Sequence, residues 1–297
     1  MTIAIFGETG LIGRAIKHEF KDEFMPLKIN SWVDQEIKLA WEKIESVAHD
    51  EDFAIDLVWA AGGSNNSSDI QVINRELELV DTFLGCVYAS KVKIKSINLI
   101  SSAGSIYAGS MGEVITKETP PNPISRYGYS RLEIEKKFSE LVVNRNILLN
   151  VFRLTNVFGK RNTLKPSSGL ISHLISANLT RKEINIFVPL FVQQDYIDVN
   201  FVAKNIYQNI KTNPTNMFNT YIYSRNQSHS ILELISLVDT FMGRKTPYIT
   251  HKIETSIYRQ NNLHFNIDYD DKNMVPIEPI NITVKRLVSE MVHEKIL

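Results

Sequence analysis

Short apolar runs alternate with amphipathic stretches through the first half of the chain. Thr2–Phe6, Leu27–Ser31, Ile37–Trp41, Ile55–Ala60, Ser96–Ile100 and Leu148–Leu154 read as strands. Leu11–Phe20, Glu42–Ala48, Ile73–Ala89 and Tyr127–Val143 place apolar residues at helical spacing between them. This β-α-β-α rhythm predicts an α/β fold built on a doubly wound parallel sheet. Ligands bind such sheets at the carboxyl ends of the strands. The segments that follow strands, Ala61–Ser64, Ser101–Gly109 and Thr155–Gly159, are therefore the candidate site loops.

The rhythm loosens after Gly159. Lys165–Gly169 reads as a loop, Leu170–Asn178 as a helix and Ile184–Val192 as a strand-like run that contains Pro189. Val199–Lys211, Ser230–Phe241 and Ile282–Lys295 read as helices. Ser230 with Glu233 three residues on has the pattern of a capping box. The expected division is a nucleotide-binding domain over 1–160 and a smaller mixed substrate lobe over 161–297. Part of 190–222 is expected to return to the first sheet.

Three glycines, Gly7, Gly10 and Gly13, stand directly after the first strand and open the first helix. A helix N-terminus offers free N–H groups and a positive dipole end to phosphate. Glycine lets the backbone approach a pyrophosphate closely. The spacing G-x-x-G-x-x-G at a strand–helix junction points to a dinucleotide.

Composition narrows the alternatives. The 297 residues suffice for one large domain or two modest ones, and hydrophobic (43%) and charged (22%) contents are those of a globular protein. Lys+Arg and Asp+Glu are both 33, so no basic excess argues for nucleic acid. Cys86 is the single cysteine, which excludes an internal disulfide and a thiolate-rich zinc site. The seven histidines, His18, His49, His173, His229, His251, His264 and His293, show no metal-ligand spacing, and no G-x-S-x-G elbow is present. Acidic runs such as Asp50–Asp52 and Asp270-Asp271 read as solvated loops. With no signal-peptide pattern and no membrane-length apolar run, the expectation is a cytoplasmic protein that does not enter the membrane.

Tyr127 and Arg131 lie at i and i+4 in Ser125–Glu133, on one face of a helix. A nearby cation lowers a tyrosine pKa and suits the phenol to proton transfer beside a hydride carrier.

Several segments in order resemble the extended short-chain dehydrogenase/reductases, in particular the NAD(P)-dependent nucleotide-sugar epimerase/dehydratase group. Gly7–Gly13 is similar to the TGxxGxxG turn and Asp56–Gly62 to the D-x-V-x-x-x-A-A strand and loop. Asn74 matches a family asparagine, and Ser101–Tyr107 resembles the serine loop S-S-x-x-x-V-Y. Tyr127–Arg131 falls on Y-x-x-x-K, Arg153–Gly159 is close to R-x-x-N-V-Y-G, and Gln194–Val199 resembles R-D-F-I-x-V. The resemblance implies a Rossmann domain with a C-terminal substrate lobe. It implies Tyr127 as catalytic acid/base, assisted by Arg131 and a serine. It implies cofactor contacts from the turn residues Gly7, Thr9, Gly10, Leu11, Ile12, Gly13 and Arg14. Further contacts are expected from Ser31, from Ala60, Ala61 and Gly62, and from Tyr127 and Arg131 themselves. Asn156 is expected at the substrate diphosphate, with Arg259 as a second contact.

The chain departs from the pattern in four places. Arg131 replaces lysine, keeping the charge but changing its geometry. Ala103 occupies the usual serine position, which leaves Ser102 and Ser105 as candidates, Ser102 preferred. No acid ends the expected second strand Leu27–Ser31, and Arg14 follows the turn, which favours NADP(H) over NAD(H). Gln194 and Asn200 replace an arginine and an acid.

The leading expectation is an NADPH-dependent reductase of a nucleotide-linked 4-keto sugar. An NDP-sugar 4-epimerase with retained NAD is the alternative. A non-catalytic NADP(H)-binding sensor or scaffold is the third reading, motivated by Arg131. The family resemblance also implies a homodimer through Ile73–Ala89 and Tyr127–Val143, where Val80, Phe83, Leu84 and Val87 form an apolar stripe.

Overall fold

The protein is described by a computed structural model that covers residues 2–48, 53–110, 114–160, 169–212, 214, 216–251, 263–267 and 274–296. In chain order its elements begin with β1 (Thr2–Phe6), α1 (Leu11–Phe20), β2 (Phe24–Met25), α2 (Asp34–Val47), β3 (Ile55–Trp59), α3 (Ile70–Ala89) and β4 (Ile94–Ser102). They continue with α4 (Ala103–Ile106), β5 (Val114–Ile115), α5 (Arg126–Arg145), β6 (Leu148–Leu154), β7 (Asn156–Phe158), α6 (Leu170–Thr180), β8 (Ile184–Ile186) and β9 (Gln193–Asp198). The last are α7 (Val199–Thr212), β10 (Phe218–Tyr223), β11 (Ser228–Ser230), α8 (Ile231–Met242), β12 (Tyr248–Thr250), β13 (His264–Phe265) and α9 (Ile280–Ile296). The chain divides into two compact units, one of residues 1–106, 123–153 and 203–222, the other of 107–122, 154–202 and 223–297.

The first unit is built on a six-stranded sheet in the order β10-β6-β4-β3-β1-β2. Strands β2, β1, β3 and β4 run parallel. The order reverses between β1 and β3, which makes the carboxyl ends of these two strands the switch point where doubly wound sheets bind ligands. β1 and β3 are almost wholly buried, as continuous apolar runs in a sheet covered on both faces must be. Phe83 of α3 lies at the centre of the core, with ring centroids 4.7 Å from Phe6, 4.7 Å from Trp59 and 5.8 Å from Phe138. A buried polar ladder crosses the sheet. Ser96 Oγ donates to Asp56 (2.5 Å), and Asn98 Nδ2 donates to Ser96 Oγ (2.8 Å). Asn150 Nδ2 donates to Asn98 Oδ1 (2.8 Å), and Asn219 Nδ2 donates to Asn150 Oδ1 (3.1 Å). A network of this kind pins strand register, because a slip would strand its members in low dielectric.

Two expected strands are corrected here. Ile37–Trp41 lies inside α2: Ile37, Ala40, Trp41 and Ile44 are buried while Leu39 is 47% exposed. The buried positions follow a period of 3.6, so the alternation of Ile37, Leu39 and Trp41 was coincidental. Leu27–Ser31 is not a strand either, since β2 ends at Met25. Pro26 has no N–H for the ladder, and Lys28 sits at φ 58° in the left-handed region.

The second unit holds a three-stranded sheet, β11-β9-β7, and two strand pairs, β12-β8 and β13-β5. Helices α6, α8 and α9 pack around Phe158, Leu174, Leu234 and Val284. The capping box of Ser230 and Glu233 is present at the start of α8. The strand expected over Ile184–Val192 stops at Ile186 and strand structure resumes only at Gln193. Among the described residues no helix is long and apolar enough to cross a membrane.

Candidate active site

The glycine turn joins β1 to α1. Gly10 N donates to Gly7 O (2.9 Å) and Arg14 N to Gly10 O (3.0 Å). Gly7 has φ 102°, and a Cβ there would lie 2.5 Å from the Ala60 backbone. A Cβ on Gly13 would lie 2.1 Å from Gly7 O. Only glycine allows this packing of helix, turn and neighbouring strand end. Gly10 gives α1 no side-chain cap, and the first turn, which includes Leu11 and Ile12, holds no acid. The N–H groups that a helix start leaves unpaired are thus available to an anion. Arg14 folds back on the turn, its guanidinium donating to Thr9 O (3.3 Å).

A cavity of about 350 Å³ opens beside the end of β3, within the usual size range of ligand pockets. Ala61, Gly62 and Gly63 line it from the loop. Trp59, Trp32 and residues of α3, among them Val72, Arg75, Glu76 and Leu79, line the rest. Trp32 meets Trp59 edge to face, with centroids 6.2 Å apart. Ala60 sits against the glycine turn instead, its N–H on Phe6 O (2.8 Å). Ser31 is exposed beyond the end of β2, in the segment where a strand end was expected.

The N-terminus of α5 carries the candidate pair Tyr127 and Arg131. Ser125 caps it, accepting from Gly128 N (3.0 Å), and Gly128 packs so tightly that a Cβ would come within 2.6 Å of Ser105 O. This seats the first turn of α5 against the segment that follows β4. Tyr127 and Arg131 share one face, with the guanidinium 5.0 Å from the phenol ring centroid. Burial pushes the Tyr127 phenol above its ordinary range and the Glu76 charge adds to the rise, while Arg131 and a hydrogen bond with Ser102 oppose it.

Of the two candidate serines, Ser102 is the one whose hydroxyl bears on the phenol, opposing the rise of its pKa. Its Oγ also accepts from Ser105 N at 3.4 Å. The Ser105 hydroxyl is buried and has no hydrogen-bond partner among the described residues.

Arg131 is 6% exposed and forms an ion pair with Glu76 of α3, itself 5% exposed. Glu76 also accepts from the Ser64 amide (3.1 Å) and the Ser64 hydroxyl. Arg131 Nε is buried without a partner among the described residues, a donor left over for an acceptor such as a sugar hydroxyl. The sequence reading missed Glu76. Its signal is an acid inside the buried stripe Ile73, Val80, Phe83 and Val87, a position charged residues occupy only when paired.

In the second unit Asn156 is exposed and donates to Asp195 O (2.9 Å). Asp195 is buried and accepts from Thr155 Oγ1 (2.6 Å) and the amides of Arg225 (2.9 Å) and Gln227 (3.2 Å). Burial raises its pKa despite these bonds. Arg259, residues 165–168 of the expected loop and the acidic runs 50–52 and 270–271 lie outside the described residues. Among the described residues no cluster of His, Cys, Asp and Glu could hold a metal.

A family model described as "NAD dependent epimerase/dehydratase family" matches residues 3–220. The chain belongs to this family. A curated Methanocaldococcus jannaschii protein, named "Putative UDP-glucose 4-epimerase", is 27% identical to this epimerase/dehydratase-family chain over 187 residues. That match takes in 62% of the chain and 57% of the relative, so the chain spans little more than half of the relative's length. A UDP-glucose 4-epimerase of Thermotoga maritima, solved with UDP-glucose, has TM-score 0.79 at 17% identity, covering 99% of both chains. The Thermus thermophilus UDP-glucose 4-epimerase, solved with NAD, has TM-score 0.77 at 15% identity, covering 98% of this chain and 99% of its own. These likenesses establish the fold. The residues present also fit the family's nicotinamide cofactor. The glycine cradle, the uncapped start of α1 and the spare Arg131 donor are what a dinucleotide would use.

Proposed function

We propose that this protein is a nucleotide-sugar 4-epimerase that keeps NAD bound through turnover. The observation that carries the reading is Tyr127, faced by Arg131 and with the Ser102 hydroxyl bearing on its phenol, in the unit that holds the glycine turn. In this reading the ionised Tyr127 oxygen takes the proton of the C4 hydroxyl. Ser102 donates a hydrogen bond to the same substrate oxygen and holds it in line. Tyr127 later returns the proton when the carbonyl is reduced from the other face. Bound NAD would supply the acceptor, and then the donor, of the C4 hydride. The turn residues Gly7 to Arg14 hold the pyrophosphate, and the cavity lined by Trp32, Trp59, Ala61 and Gly62 takes the adenosine. Asn156 and Arg259 are the proposed contacts of the substrate diphosphate. Relatives named as UDP-sugar 4-epimerases support this choice over a reductase.

One feature favours a second reading, an NADPH-dependent 4-keto reductase. No acid stands between the end of β2 and Asp34 to bind a ribose and repel a 2′-phosphate. The test is to supply UDP-glucose to the protein as isolated and follow the sugar by chromatography. The epimerase reading expects interconversion with UDP-galactose, no added cofactor and no net absorbance change at the nicotinamide band. Stoichiometric NADPH oxidation on a 4-keto sugar nucleotide, without epimer, would establish the reductase instead. Binding of NADP(H) with neither turnover would leave a sensor or scaffold.

A homodimer through α3 and α5 is part of this proposal. The stripe Val80, Phe83 and Val87 is buried in the unit's own core. The exposed apolar side chains left for a second copy are Tyr88 on α3 and Tyr129 and Val143 on α5. Sedimentation is expected to show twice the chain mass, and a single monomer-sized species across the concentration range would remove the dimer.

A further inference from the structure

Arginine at position 131 raises a problem of geometry. A lysine ammonium is a compact charge that points where its stem leads, whereas a guanidinium is a planar fork whose orientation must be fixed by a partner. Here the partner is Glu76. The pair is buried on both sides, and Ser64 holds the carboxylate through its amide and its hydroxyl. Gly62 leaves room for it, since a Cβ there would sit 2.8 Å from Glu76 Oε1. One arm of the fork is therefore tied down, the guanidinium carbon lies 5.0 Å from the Tyr127 ring centroid, and Nε is left as a donor without a partner among the described residues.

We propose that Glu76 is a positioning residue that acts with Arg131 as one unit on Tyr127, anchoring the guanidinium against the phenol while cancelling part of its charge. The inference rests on the reading of Tyr127 as the proton-transfer group. The groups that bear on the phenol are Arg131 from its own helix, Glu76 from α3 and the Ser102 hydroxyl at the end of β4. Glu76 and Arg131 pull in opposite directions there, as a carboxylate and a cation must. The arrangement gives the enzyme an oriented cation at little net charge.

The experiment is an NMR titration of protein labelled with ¹³Cζ-tyrosine, with NAD bound and without it, the Tyr127 resonance being assigned by its loss in Tyr127→Phe. Glu76→Gln keeps an oxygen for Arg131 and Ser64 but removes the charge. It is expected to lower the Tyr127 midpoint by on the order of one pH unit, and to move the acid limb of the activity profile the same way. An unmoved or raised midpoint overturns the inference. The neutral pair Glu76→Gln with Arg131→Gln tests the same point if the single variant does not fold. Its midpoint is expected within roughly half a unit of the natural protein. A rise well beyond one unit would mean that Arg131 acts alone, and would overturn the inference. Because the titration needs no turnover, a missing epimerase activity would defeat the functional reading without deciding this one.

Discussion

Replacing Tyr127 by phenylalanine is expected to lower kcat by about 10²–10⁴-fold, the usual contribution of a positioned acid/base group. The ring remains for Arg131 to face at 5.0 Å, and only the phenol hydroxyl is lost. Cofactor binding and thermal stability should therefore stay close to those of the natural protein. Ser102→Ala should depress kcat in the same direction, because Ser102 is the serine whose hydroxyl bears on the phenol. Ser105→Ala should not, since its buried hydroxyl bonds no described group. Steady-state kinetics beside cofactor titration checks all three. A Tyr127→Phe protein with undiminished kcat would remove the proposed chemistry. The pH dependence follows from the raised phenol. With burial raising the phenol, kcat/KM for sugar oxidation is expected to climb as pH rises toward the Tyr127 pKa, and a pH profile flat in the alkaline range would count against it.

The largest stability effect is expected at Phe83. Its ring touches Phe6 just before the glycine turn, Trp59 on the wall of the cavity and Phe138 on the helix that carries Tyr127. It is completely buried. Phe83→Ala removes most of a ring from a close-packed site and leaves a void, at a cost of about 3–5 kcal/mol. That is a large share of the roughly 5–15 kcal/mol by which folded proteins are stable. Denaturant unfolding should show the loss, with Phe83→Leu costing clearly less. A loss below about 1 kcal/mol would mean that the neighbours collapse into the space and that the ring does not tie these elements together. Cofactor affinity should fall with stability, because Trp59 loses its support.

Much of the first unit was legible from local pattern. The range of α1 was read without error, as were β1 and β6, because a buried strand, a glycine turn and an amphipathic helix each write their period into a few consecutive residues. The stretch between β1 and β3 was not. Ile37, Leu39 and Trp41 alternate like a strand, and only burial of Ala40 and Ile44 with exposure of Leu39 shows a helix. The expected strand at Leu27–Ser31 failed for a backbone reason, Pro26 and the left-handed Lys28, which hydrophobicity does not register. The NADP(H) preference had leaned on that strand end. With β2 ending at Met25, Ser31 no longer marks the strand terminus, and the argument rests on the acid-free segment alone.

The site divides in the same way. Gly7, Gly10 and Gly13 are three residues apart, and Tyr127 and Arg131 are one helical turn apart, so local geometry alone determined that each set would lie together. Glu76 is 55 residues from Arg131, and no spacing rule links them. The choice between Ser102 and Ser105 depends on how the end of β4 meets α5, and the cavity on how Trp32, Trp59 and α3 converge. The sequence by itself determined a glycine turn at a strand–helix junction, a doubly wound sheet and a tyrosine–arginine pair, each written in local pattern. Tertiary structure alone decided the partner of the arginine, the serine against the phenol and the shape of the pocket. Those depend on packing between elements distant in the chain, where a buried charge must find its counter-ion and a helix its seat.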